Sequence, residues 1–245
     1  MARVNPIFTG IKSDEIITNE QASVKGVGIK TGILLLVAVL SAALSVTFRN
    51  VILYNVGVYY IFVFGALIAG IVGQLSYRSA KVWSFIYAIC EGAMLGLVSF
   101  LFEEAIGGII LSAVMITATI FGVMLLLYST NIIKVTGRFV KMMYALMITS
   151  LIISVVFLLM SLLAPTNPIT VALLTNPALY IVICLLDLVY AAFMLTLDFE
   201  QIKAISANGF DKAYEWNAAL GLMITVVWIY VEVLRIIALF TSNKD

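Results

Sequence analysis

Apolar residues in this chain fall in seven runs of 18 to 25 positions, at 31–48, 56–76, 82–102, 107–129, 139–163, 178–197 and 218–240, with polar residues gathered in the gaps. About 20 mostly apolar residues in helical form cross the hydrocarbon of a bilayer. Each run therefore predicts a transmembrane helix, and the chain reads as an all-α, seven-span bundle. The uncharged stretch 142–186 is too long for one helix and is divided by Pro165, Pro168 and Pro177 among Thr and Asn residues. Between Phe48 and Val56 the break is weaker, marked by Arg49, Asn50 and Asn55, so six spans is the main alternative. Residues 1–30 are polar and of mixed charge, without the early apolar core of a signal peptide. They are expected to form a cytoplasmic tail preceding one transmembrane domain, 31–245.

Composition agrees: 63% of residues are hydrophobic and 11% charged, against about 25% charged in soluble domains. Mean hydropathy is +1.15. A net charge of +1 gives no reason to expect nucleic acid as a partner. The absence of histidine removes Ser-His-Asp and Cys-His catalysis and histidine-bound zinc. Cys90 and Cys184 lie inside apolar runs and make no disulfide framework. No cofactor is expected.

Lysine and arginine set the orientation. Seven spans put Arg3, Lys12, Lys25, Lys30, Arg78, Lys81, Lys134, Arg138, Lys141, Lys203 and Lys212 on one side. Arg49 and Lys244 fall on the other, and Arg235 lies within the last helix. The predicted N-terminus is therefore cytoplasmic and the C-terminus outside. G-protein-coupled receptors have the opposite orientation, and retinal proteins need a lysine in the seventh helix, where this chain has none. Small residues four apart, at Gly65, Ala69 and Gly73 and at Gly92 and Gly96, predict seams where helix backbones approach closely.

The chemistry lies in Glu91, Asp187, Asp198, Glu232 and Arg235. A charge at a helix centre costs roughly 2.5–3.5 kcal/mol on the insertion scale, so such residues normally face the bundle interior. Asp187 and Asp198 are eleven residues apart, three turns, and share a stripe with Cys184, Ala191 and Met194. Ser84, Tyr87, Glu91 and Ser99 form a polar stripe on the third helix, and Thr225, Trp228, Glu232 and Arg235 one on the seventh. Arg235, one turn beyond Glu232, can hold it in a structural salt bridge but cannot satisfy all four acids. The surplus carboxyls must be protonated, hydrated or paired with a cation. At the end of its helix, Asp198 can also be read as simply solvated.

These residues carry a resemblance. LDFEQIK at 197–203, IYVEVLR at 229–235 and YAICEGAMLG at 87–96 are similar to motifs of the Bax inhibitor-1 family, the transmembrane Bax inhibitor motif proteins. NPIF at 5–8 with its polar tail resembles a bacterial branch. The resemblance implies a last helix wrapped by the other six, a multi-pass protein of the bacterial inner (plasma) membrane, and pH-sensitive calcium leak. It also implies that Asp198 and Glu232 face each other as a pH sensor and as calcium ligands. With helix ends at 197 and 218, Glu232 would lie about 21 Å deeper than Asp198, counting 1.5 Å per residue. The two meet only if the sixth helix continues inward to about Ser206; otherwise the pair is not formed.

The leading expectation is thus a pH-sensitive cation leak channel or exchanger, with protons or calcium as ligands. Carboxylate oxygens suit calcium, and two close carboxyls can share a proton. A non-transporting regulator of another membrane protein, such as a membrane protease, is the alternative. An aspartyl enzyme is a distant third, since no peptidase signature accompanies the acids. Tags at the N-terminus and in the 130–137 loop should report cytoplasm, and a C-terminal tag the opposite side. A cytoplasmic C-terminus would break the seven-span reading.

Overall fold

The structure is a computed structural model and describes residues 20–163, 166–168, 171 and 176–242. Most of the expected tail, and Pro165 of the proline loop, lie outside the described residues. Among the described residues eight helices are named in order: α1 (Val24–Thr47), α2 (Arg49–Tyr54), α3 (Val56–Leu75), α4 (Ala80–Ala105), α5 (Ile109–Ser129), α6 (Gly137–Leu163), α7 (Pro177–Ala207) and α8 (Tyr214–Ser242). All but α2 are long and apolar enough to cross a membrane. The weak break after Phe48 is occupied by the single turn and a half of α2.

Local chemistry sets the helix starts. The Ser23 hydroxyl caps α1 by accepting from the Gly26 amide at 3.0 Å. Asn176 caps α7 by accepting from the Leu179 amide at 3.2 Å. Before α5 the chain reverses at Gly108, whose φ of 83° favours glycine. Glu103 accepts there from the amides of Gly108 (2.7 Å) and Ile110 (2.9 Å), occupying donors that a helix start leaves free.

Three helices run past their apolar segments. α1 begins at Val24 rather than 31, so the expected boundary at residue 30 falls inside it. α7 continues to Ala207 rather than 197, and α8 begins at Tyr214 rather than 218. Hydropathy ends at Lys30, Asp198 and Glu215, but backbone hydrogen bonding does not. At 31 residues, α7 is about 46 Å long, beyond the ~30 Å of hydrocarbon.

The last helix is central: α8 touches α1, α3, α4, α5 and α7. Its Ala219, Leu220, Met223 and Ile229 are fully buried. The expectation that all six other spans wrap it holds less well for α6, which meets the bundle chiefly through α7. Val140 and Met143 cluster with Leu197, Phe139 meets Phe193 edge-on at 6.0 Å, and the Tyr190 hydroxyl donates to the Met143 carbonyl at 3.0 Å. After its first residue α6 has no glycine.

A small-residue seam joins α1 to α4. A Cβ on Gly92 would lie 2.7 Å from the Ala38 Cα and nearer still to its carbonyl oxygen; one on Gly96 would lie 2.6 Å from the Ala42 Cα. The two backbones are in contact, as the four-residue spacing predicts. Gly92→Ala and Gly96→Ala should each lower stability by about 1–3 kcal/mol through overpacking. Gly122→Ala, where a Cβ meets nothing within 4 Å, should not destabilise. Thermal unfolding in detergent checks this, and equal tolerance at all three sites would refute the seam.

Candidate functional site

α7 and α8 form an antiparallel hairpin closed by the six residues 208–213, with Gly209 at a φ of 65°. Its register decides which polar groups meet. Asp198 lies beside Gly221: a Cβ there would sit 3.7 Å from Asp198 Oδ1 and 3.3 Å from Gln74 Nε2. Thr225, one turn on, donates its hydroxyl to the Gly221 carbonyl at 3.3 Å and lies near the Asp198 carboxyl. Asp198 Oδ2 is buried and, among the described residues, has no hydrogen-bond partner. Asn217 fixes α3 alongside, donating to the carbonyls of Gly73 (2.8 Å) and Gln74 (3.0 Å), while Gln74 Nε2 donates to the Asn217 carbonyl at 3.3 Å. Tyr144 of α6 is close enough to interact electrostatically with Asp198.

Eleven residues back from Asp198 is Asp187, and eleven on from Gly221 is Glu232. An antiparallel pair keeps such spacings matched, so a second polar level forms there. Glu232 is 3% exposed and accepts from Arg235 Nη1 at 3.0 and 3.2 Å. The Arg235 guanidinium also reaches Cys184, and Asp187 lies within electrostatic range of both Glu232 and Arg235.

The expected Asp198–Glu232 pair is therefore not formed. α7 does continue past 197, to Ala207, as the pairing required, but α8 also starts earlier, at Tyr214. Three helical turns, about 16 Å, separate Gly221 beside Asp198 from Glu232. The two carboxylates cannot ligate one calcium ion. Among the described residues no three acidic or thiol side chains converge as a metal cage would require. Glu91 stands apart from both levels, half-buried on α4 near Tyr87 and Cys90, and makes no ion pair among the described residues. Its stripe does face inward: Ser84, Tyr87 and Ser99 are buried, and Ser99 shares a 2.9 Å hydrogen bond with Tyr230 of α8.

The family model described as Bax inhibitor 1 like matches residues 5–242. The chain belongs to that family. The match spans all three motifs around Glu91, Asp198 and Glu232. No curated protein and no solved structure matches the chain.

This Bax inhibitor 1 like chain also holds a buried acid that its motifs do not mark. Glu215, in the first turn of α8, is 2% exposed. It accepts from the Ser23 amide (2.7 Å) and hydroxyl (3.1 Å) and pairs with Lys30 at 2.8 Å. A Cβ on Gly26 would overlap its carboxylate. Next to Lys212 and at the edge of an apolar run, Glu215 looks in sequence like an ordinary solvated charge. Ser23 carries an N-cap signal, but nothing local reveals a partner 192 residues away.

Glu232 is committed to Arg235, so Glu232→Gln should destabilise this Bax inhibitor 1 like protein by leaving a guanidinium without its partner. About 2 kcal/mol is expected, below the ~3–5 for a fully buried pair because Arg235 keeps part of its side chain exposed. Glu232→Gln with Arg235→Gln should recover much of the loss. Equal stability of the single variant and the parent in thermal unfolding would show the pair to be dispensable.

Proposed function

We propose that this multi-pass membrane protein is a pH-sensitive cation leak channel or exchanger, with calcium the expected ion and Asp198 the group in its path. The bacterial inner membrane, with the N-terminus inside, is the setting that the lysine and arginine distribution and the tail motif favour. The observation that carries the reading is the unpartnered Asp198 Oδ2, buried between α7 and the central α8. An ionised carboxylate in such a place lacks part of its solvation, and a proton or a cation supplies it. Both ligands use the same oxygen and so compete, and acidification lowers cation occupancy. The Gln74 side chain, also beside Gly221, carries an amide oxygen of the type calcium accepts. Sensing by a shared Asp198–Glu232 proton forms no part of this reading.

The test is calcium flux from liposomes holding the purified protein, read at two pH values. Asp198→Asn removes the ionisable group and keeps the shape. It should lower flux at the higher pH about tenfold, the equivalent of about 1.4 kcal/mol in occupancy, and flatten the pH dependence. Glu232→Gln, where it folds, should leave the pH slope in place. An unchanged profile in Asp198→Asn ends the assignment. If the parent protein passes no calcium at either pH, the regulator of another membrane protein becomes the better reading. A tail deletion testing that regulator should stop at residue 19, because Ser23 and Lys30 hold Glu215.

A further inference from the structure

At the end of the bundle where α1, α4 and α8 begin, a cleft of about 390 Å³ opens, within the ~300–1,000 Å³ range of small-ligand sites. Among the described residues, Lys30, Arg78, Lys81 and Lys212 line it, with Glu20 the one acid at its wall. Buried Glu215 lies behind Lys30. Among the described residues, four bases meet these two acids at the cleft. Both acids are already engaged, Glu215 by Lys30 and Glu20 by Lys212 at 2.9 Å. Lys81 is exposed and makes no ion pair among the described residues.

The floor is aromatic. Trp216 lies under two ammonium groups, with Lys30 Nζ 4.9 Å and Lys81 Nζ 5.8 Å from its ring centroid. Such contacts draw the two ammoniums toward the ring, so part of the positive charge of the cleft gathers over Trp216. The anchoring is long-range: the Lys30 ammonium also donates to the Lys212 carbonyl at 3.3 Å, drawing three separate parts of the chain around one opening.

We propose that this cleft binds a phosphate group. Several cationic donors converging from different elements suit a compact anion with several oxygens, and lysines serve phosphate as point charges. Basic pockets between helices at the membrane surface take the headgroups of anionic phospholipids; a soluble phosphate offers the same chemistry. The site is separate from Asp198, and its ligand would tie the starts of α1, α4 and α8 together.

The experiment uses the full chain in phosphatidylcholine nanodiscs. One arm adds inorganic phosphate against chloride at matched ionic strength, which removes simple screening. The other replaces part of the phosphatidylcholine with phosphatidylglycerol. Thermal stability and tryptophan fluorescence are read in both. A rise in Tm with phosphate points to a soluble source, and a rise with phosphatidylglycerol alone points to a lipid headgroup; either supports the site. Lys81→Gln should weaken the response about fivefold, the usual effect of one lysine at an anionic surface, and Lys81→Arg should restore it. No response in either arm overturns the proposal. So does a Lys81→Gln protein that titrates like the parent.

Discussion

A carboxylate taken out of water loses several kcal/mol of solvation unless charges and donors replace it, and the helices of this bundle are aligned where Glu215 meets that requirement. The Ser23 amide and hydroxyl and the Lys30 ammonium all come from the start of α1. Glu215 itself is in the first turn of α8. The contact thus fixes the register of the first spanning helix against the last, with Gly26 keeping the space open for the carboxylate. Around it the chain is stitched further: Ala22 donates to the Phe210 carbonyl at 2.8 Å and the Lys212 amide to the Glu20 carbonyl at 3.0 Å. Those bonds hold the 208–213 loop that closes the α7–α8 hairpin. With α1 placed, Gly92 and Gly96 dock α4 onto it, and Asn217 draws in the end of α3.

The hairpin register then produces two polar levels, three turns apart. One holds Asp198 beside Gly221 and Thr225; the other holds Glu232, Arg235, Asp187 and Cys184. Glycine at 221 belongs to this arrangement, since a Cβ there would crowd the end of the Gln74 side chain at 3.3 Å and touch Asp198. The polar stripes of α7 and α8 therefore face each other across one seam, while α4 contributes Ser99 to Tyr230 but leaves Glu91 to itself.

Seven spans are legible in the sequence because the bilayer imposes a length on apolar runs, and that length is written in composition alone. The helix ends were less legible. Lys30, Asp198 and Glu215 stop a hydropathy pattern without stopping a helix, so α1, α7 and α8 outrun their apolar cores. The inward stripes followed from helical periodicity, and Ser84, Tyr87, Cys184, Thr225 and Glu232 are buried as that periodicity requires. The partner of each acid did not follow. Glu232 with Arg235 is a local i, i+3 contact, open to a spacing argument. Asp198 depends on the loop register, and Glu215 on a contact across nearly the whole chain, so no window of sequence contains either.

The charge count along the α7–α8 seam bears on what could move through it. The level at Glu232 has two acids and one base, and the level at Asp198 has one acid and no base. With every group ionised, each level has a surplus of one negative charge, about 16 Å from the next. A resident calcium ion takes six to eight oxygens, commonly with several carboxylates together, and neither level gathers that many. A conducting path needs the opposite balance, with binding strong enough to strip water in part and weak enough to release the ion. On the proposed reading, single surplus carboxylates spaced along one seam suit that balance better than a cage would. The same separation that breaks the expected Asp198–Glu232 pair leaves two separate carboxylate levels in place of one tight site.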